Sequence, residues 1–273
     1  MFFNCGKFQL DLTTPKVMGI VNVTPDSFSD GGKYSQLDQA IAHALKLAEE
    51  GAAILDIGGE STRPNATPVS LQQELDRVIP VIEALCGQIN IPLSVDTYKP
   101  QVMQAAIAAG ASIVNDVRAL QEPGALKVVA SANVGVCLMH MQGTPQTMQN
   151  NPQYNDVISD IKTFLQARLQ ATIGAGVPAN RILLDFGFGF GKTREHNITL
   201  IQQLESFTEL GQPLLVGLSR KSVLGQVTGN DVDARLYATI AASVIAAMKG
   251  AKILRVHDVK ATVEALKVVT AIM

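Results

Sequence analysis

The sequence predicts one α/β domain over residues 1–273, folded as a closed (β/α)8 TIM barrel. Three observations carry this expectation. Eight short β-branched runs recur along the chain, a stretch long enough for a helix separates each from the next, and units of roughly 34 residues use up the whole length. The runs are apolar on both faces, as parallel strands buried between two layers must be, and parallel neighbours need long crossovers. An open doubly wound sheet has the same periodicity and is the competing architecture.

The strands are expected at VMGIV (17–21), AAILDI (52–57), LSV (93–95), SIV (112–114), VGVCLM (134–139), ILL (182–184), PLLV (213–216) and KILRV (252–256). Amphipathic helices fill the intervals. Ser35 precedes LDQAIAHALKLAEE and Ser70 precedes LQQELDRVIPVIEAL, each with a polar residue, Asp38 or Gln73, three positions on, as in a capping box. Gly51, Gly110 and Gly250 follow helical runs, where a left-handed cap favours a residue without Cβ. No linker, low-complexity tract or shift of composition divides the chain. The run IAASVIAAMKGA is small and apolar almost all round, which leaves open both a homodimer face and ordinary packing of a helix on the barrel.

Composition narrows the classes of function. With 47% hydrophobic and 17% charged residues the chain can bury enough surface to offset its ordering entropy. Its 22 basic and 24 acidic side chains give a net charge of -2, so no global field gathers nucleic acid or an anionic membrane. Cys5, Cys86 and Cys137 are widely spaced and form no C-x-x-C pair, which fits a reducing compartment. Lys7 and Asp11 interrupt the N-terminal segment where a signal peptide needs an apolar run, and no stretch of about 18 apolar residues follows. A cytoplasmic protein is expected. Asn22, Asn65 and Asn197 head N-x-T triplets that would count as glycosylation sites only in a secretory route, so they are chance matches or have other work.

Function is written at the strand ends. Just past the apolar runs stand Asn22, Asp56, Asp96, Asn115, His140, Asp185, Ser219 with Lys221, and Arg255 with His257. Any one of them reads equally well as a turn or cap residue. Eight together would ring the C-terminal mouth of a barrel, where the active sites of this architecture lie. Asp56, Asp96, Asn115 and Asp185 ask for N–H donors, such as the edge of an amino-substituted heterocycle. Arg63, Lys221, Arg255 and His257 add cationic groups suited to a phosphate or diphosphate.

Other motifs fail or stay open. The segment LLDFGFGFGKT lacks the first glycine of a phosphate loop, since residue 186 is Phe186, and Lys192 stands where a dinucleotide fingerprint needs its third glycine. Its glycines let the backbone approach a flat ligand, or serve a loop that needs positive φ. In VGLSRKS, Ser222 opens a helix whose N-terminus suits an anion. Lys221 would also suit a Schiff-base aldolase. His43 and His196 have no second ligand at metal spacing.

The motifs NVTPDSFSDGG (22–32), GGESTRP (58–64), SVDTYKP (94–100), ND (115–116), LMHMQG (138–143), GFGFGK (187–192), GLSRKS (217–222) and RVHDV (255–259) together resemble the dihydropteroate synthase family. They follow in the family's order over nearly the whole chain and match its bacterial single-function form. The resemblance implies a barrel that transfers the 7,8-dihydropterin-6-ylmethyl group from its diphosphate to p-aminobenzoate. It implies that Asp96, Asn115 and Asp185 read the pterin edge and that Lys221 binds the ring acceptors. Asn22, Arg63, Arg255 and His257 would hold the diphosphate, with Mg2+ between its oxygens and Asn22. Thr62, Pro64, Phe28, Phe190, Arg220 and Ser222 would form the p-aminobenzoate side.

The departing diphosphate leaves a cationic carbon, so the task is electrostatic, and no strong base is needed for an aromatic amine that is neutral at pH 7. Asp30 would add negative charge near that carbon, or is simply a turn residue before Gly31. The chain departs from the family at Asp185-Phe186-Gly187, where proline is usual at the middle position. The exchange restores an N–H and frees φ, and activity is expected to survive it. A methyltetrahydrofolate-dependent methyltransferase that binds a pterin is the alternative within the same fold group.

Overall fold

The computed structural model describes residues 1–24, 33–62 and 66–272, with the side chains of residues 33–35 excepted. All eight expected strands form: β3 (Lys16–Asn22), β4 (Ile54–Gly58), β5 (Leu93–Asp96), β6 (Ile113–Asp116), β7 (Gly135–Met139), β8 (Ile182–Asp185), β9 (Leu214–Val216) and β10 (Ala251–Val256). They pair in parallel in chain order. Strand β10 pairs with both β9 and β3, which closes the barrel and excludes the open sheet.

The crossovers carry α1 (Lys33–Glu49), α2 (Leu71–Cys86), α3 (Pro100–Ala109), α4 (Ala125–Ala130), α5 (Val157–Gly174), α6 (Arg194–Gln202), α7 (Ser222–Thr228) and α8 (Leu236–Met248), and α9 (Val259–Ile272) follows β10. Ser70 caps α2 with Gln73 in a full capping box, as its spacing predicts. The expectation at Ser35 needs correction: α1 is already helical at Lys33, so Ser35 lies in its first turn and does not precede it. Gly51, Gly110 and Gly250 all adopt positive φ. Among the described residues no helix is long and apolar enough to cross a membrane.

Two strands were not expected. β1 (Phe2–Cys5) and β2 (Phe8–Asp11) form an antiparallel hairpin with Cys5 opposite Phe8, which leaves Gly6 and Lys7 as a two-residue turn. The signal was the alternation Phe3, Cys5, Phe8, Leu10, Leu12 around Gly6.

Side chains alternate between two cores. Outward residues such as Leu55, Val95, Val114, Leu138 and Leu184 pack under the helices. Inward residues Met18, Ile54, Ile113, Cys137, Leu183, Leu215 and Ile253 form an apolar layer, and Phe3, Cys5 and Leu12 of the hairpin segment pack onto it. One step of two residues up β4, β6, β8 and β10, the inward side chains become polar, as Asp56, Asn115, Asp185 and Arg255. The hairpin therefore seals the N-terminal end of the barrel, and the chemistry sits at the other.

Phe3 is wholly buried, and a Cβ added at Gly135 would run into its ring. Phe3→Ala should cost about 3–5 kcal/mol and lower the thermal midpoint by roughly 10 °C. A midpoint shift under about 2 °C in a calorimetric scan would contradict the role of the hairpin.

Candidate active site

The inner wall above the apolar layer is built from Asp56, Asn115, Asp185 and Arg255, each two residues beyond an inward apolar position, with Ser94 in register with Ile113 and Asp96 in register with Asn115. Closure of the barrel through β10 brings Arg255 across to β4 and β5. Its Nε donates to Asp56 Oδ2 at 2.6 Å and its Nη2 to Asp96 Oδ2 at 2.7 Å. Asn115 Nδ2 donates to the same Asp56 oxygen at 3.0 Å. Asp56 is fully buried, and the Asp96, Asn115 and Asp185 side chains are buried beside it.

These partners do not satisfy the layer. Asp56 Oδ1, Asp96 Oδ1 and Ser94 Oγ are buried with no hydrogen-bond partner. Such an atom costs about 1–3 kcal/mol unless a ligand supplies the donor. Burial pushes the Asp96 carboxyl well above the usual carboxylate range, Arg255 pulls it back, and Asp56 pushes it up again. Burial likewise raises Asp185 to about 6, against the N–H of Gly187 and the charges of Lys221, Lys192 and Arg255. The wall is thus a set of hydrogen-bond acceptors steadied by one guanidinium.

Beyond β8 the glycine-rich segment turns back on itself. Gly187 N donates to Asp185 Oδ1 at 2.7 Å, and Gly187, Gly189 and Gly191 all have positive φ. A Cβ at Gly187 would strike the His140 carbonyl, and one at Gly191 would stand 2.8 Å from the Gln142 carbonyl. Gly187 and Gly191 therefore serve left-handed turns packed against residues 140–142, while a Cβ at Gly189 would stand 3.1 Å from the Lys221 side chain. Phe190 faces the site, with Lys221 Nζ 3.8 Å from the centre of its ring. That contact favours the charged amine, whereas a Schiff-base lysine must be neutral to attack. Phe186 is wholly buried, its ring 5.3 Å from that of Phe207, so the departure from proline adds an aromatic anchor in the outer core.

After β9, Ser219 Oγ lies 2.9 Å from His257 Nδ1 and accepts the His257 backbone N–H at 3.2 Å. Arg220 has a φ of 57°, which a side chain resists, and Thr239 and Arg235 hold its backbone N–H and carbonyl. Its guanidinium is committed to Asp258 through two bonds of 3.1 and 2.7 Å. Ser222 is exposed at the start of α7, and Asn22 is half-buried at the end of β3. Thr62 is half-buried after β4.

Asp56, Asp96, Asn115, Asp185 and Arg255 come together as one wall, with Phe190 and Lys221 paired beside Asp185. His140 departs from the expected ring of mouth residues. It is buried behind the glycine loop, edge-on to Phe164 at 4.9 Å. Phe28, Asp30, Arg63 and Pro64 lie outside the described residues. Among the described residues no three His, Cys, Asp or Glu side chains gather to hold a metal ion.

Supporting residues went unnoticed in the sequence. Lys99 Nζ ties Glu60 at 2.6 Å, Glu74 at 2.5 Å and the Val69 carbonyl at 2.7 Å, holding both ends of the segment that carries Thr62. Asn197, met first as a triplet match, is buried and accepts the Gly189 N–H at 2.6 Å. The signal at Lys99 is a basic residue between the end of β5 and the Pro100 that opens α3. A groove of about 530 Å3 lined by Gln101, Gln104 and Lys127 lies on the flank between α3 and α4 and holds none of the wall residues.

The family model described as pterin binding enzyme matches residues 18–257. The chain is 51% identical to the dihydropteroate synthase of Haemophilus influenzae over 259 residues, covering 95% of this chain and 94% of the relative. It superposes on the Yersinia pestis dihydropteroate synthase solved with a sulfonamide drug complex at a TM-score of 0.95 and 51% identity, covering 100% of this chain and 99% of that one. It is also similar to the Xanthomonas albilineans dihydropteroate synthase in complex with 7,8-dihydropteroate, with a TM-score of 0.92, 50% identity and coverage of 100% and 98%. A barrel with this inner wall, matched over nearly its full length, belongs to the pterin-binding enzymes as a member of their dihydropteroate synthase family.

Proposed function

We propose that the protein joins 7,8-dihydropterin-6-ylmethyl diphosphate to p-aminobenzoate, releasing diphosphate and dihydropteroate. The observation that carries this is the row of buried acceptors without donors, Asp56 Oδ1, Ser94 Oγ and Asp96 Oδ1, on a wall that also holds Asn115 and Asp185. A pterin edge with adjacent N–H and NH2 groups supplies the missing donors. Asp96, Asn115 and Asp185 read that edge, and Lys221, steadied over Phe190, donates to the ring acceptors on the other side.

The C–O bond between the exocyclic methylene and the diphosphate breaks, and its electron pair leaves with the anion. The p-aminobenzoate nitrogen then forms the C–N bond and gives its extra proton to solvent. The carboxylates hold the ring while the methylene is electron-poor, and the site needs positive charge where the anion departs. Arg255, His257, Asn22 and, by resemblance, Arg63 serve the anion. Arg255 does so with Nη1, since its other two nitrogens are bound to Asp56 and Asp96. Thr62, Phe190 and Ser222, with Phe28 and Pro64 by resemblance, form the p-aminobenzoate side, and Asp30 stands by resemblance near the reacting carbon. Arg220 joins that side by positioning, because Asp258 holds its guanidinium.

Mg2+ fits this donor set. It takes hard oxygens, keeps several waters and leans on substrate phosphates, so one half-buried amide, Asn22, suffices on the protein. Bound there, it would neutralise charge on the departing diphosphate. The exposed apolar residues Tyr237, Ile245 and Met248 on α8, with Val268 and Ile272 on α9, support a homodimer through this face. The composition and the free cysteines Cys5, Cys86 and Cys137 support a cytoplasmic location.

The direct test is diphosphate release with Mg2+, with and without p-aminobenzoate; dihydropteroate should form, and its absence would overturn the proposal. Asp185→Asn should lower kcat/KM by roughly two orders of magnitude with a midpoint within a few degrees of wild type. Chelation should weaken binding of the pterin diphosphate more than binding of a bare pterin, and equal effects would remove the metal from the account.

Binding should also follow pH. Burial raises Asp185 to about 6, and its charged form accepts a ring N–H far more strongly than the neutral acid does. Affinity for a bare pterin should fall as pH drops through that value, by about tenfold from pH 7.5 to pH 5. Calorimetric titration checks this, and affinity that is flat with pH would contradict the role of Asp185.

A further inference from the structure

Lys192 closes the glycine-rich segment, and the transfer chemistry makes no use of it. Its side chain is 3% exposed. Its Nζ lies 2.8 Å from the Gly187 carbonyl, 2.8 Å from the Phe190 carbonyl and 3.1 Å from His140 Nδ1. An ammonium has three donors, and these are its three nearest acceptors, with the His140 carbonyl farther off at 3.5 Å. With the His140 ring neutral and its hydrogen on Nε2, Nδ1 accepts from Lys192, whose ammonium burial pushes down to about 7 while the Asp185 charge pulls it back up. Burial, reinforced by the Lys192 charge, holds the imidazole down at about 3, in keeping with the neutral ring.

The two peptides that Lys192 grips are those that matter to the site. Gly187 gives its N–H to Asp185, and Phe190 carries the ring beneath Lys221. Gly189 is held from outside by Asn197 and Gln149, and the Gly191 carbonyl by Tyr154. Among the described residues, Lys192 is the side chain that reaches both ends from within. A chain of glycines has no side chains to define its shape, so a central donor must do so.

We propose that Lys192, with His140 as its acceptor, is a positioning residue of the transfer: its three hydrogen bonds hold the Gly187 and Phe190 peptides and thereby set Asp185 and the Phe190–Lys221 pair in place. This deepens the proposed transfer and rests on it. The residue touches neither substrate, and it acts through the backbone of the loop.

The test measures binding of a bare pterin by calorimetry, with KM and kcat for both substrates, in Lys192→Met, His140→Gln and His140→Leu. Lys192→Met should weaken pterin binding about tenfold and raise KM for p-aminobenzoate. His140→Gln keeps an acceptor facing Lys192 and should stay within about threefold of wild type, while His140→Leu should shift as Lys192→Met does. A purely structural role would lower the folded fraction and kcat and leave KM alone. Pterin binding within twofold of wild type in folded Lys192→Met, or in His140→Leu if the first variant does not fold, would overturn the proposal. Failure of both to fold would make the pair a folding element and overturn it equally. A wild-type protein that binds no pterin and makes no dihydropteroate would instead sink the transfer itself, and this inference with it.

Discussion

A single guanidinium organises the upper half of this barrel. Arg255 reaches from the last strand to Asp56 and Asp96 on two others, across 199 and 159 positions of sequence. Burying two carboxylates side by side is untenable without such a partner, and removing one member of a buried pair costs about 3–5 kcal/mol. The pairing exists only because β10 closes onto β3. Fold closure and site assembly are therefore one event, and the acceptors left over on Asp56, Ser94 and Asp96 are what a ring with N–H groups would complete.

Behind the residues that would touch a ligand stands a second set that fixes them. Lys99 clamps the segment after β4, Ser219 holds His257, Asp258 holds Arg220, and Lys192 with Asn197 shapes the loop after β8. The first three join segments 38 or 39 positions apart, and the last two brace one loop from within and from its following helix. Phe186 belongs to this set as well: lacking the fixed φ of proline, the turn is anchored by an aromatic ring packed on Phe207.

The strands and the wall could be read from the sequence because two local periods sufficed. Runs apolar on both faces marked β3 to β10, and the residue that broke each run marked the mouth. Partnership could not be read in this way. Asp56 and Arg255 were recognisable as opposite charges at strand ends, but their bond depends on barrel register. His140 broke an apolar run as Asp185 did, yet it points away from the cavity, since a change of one residue reverses the face. The hairpin at Phe2–Asp11 was passed over because its strands are four residues each and its apolar residues serve another element's core. Lys192 and Asn197 stood in motifs already set aside, and only the folded loop gives them acceptors and donors.

The central claim is that Arg255 builds the ring receptor and does not merely bind the anion. Calorimetric titration of wild type and Arg255→Met with a bare pterin, which has no phosphate, separates the two. Loss of the guanidinium should leave one buried carboxylate protonated and weaken binding about tenfold or more. Unchanged affinity for the bare ring would confine Arg255 to the diphosphate and contradict the account.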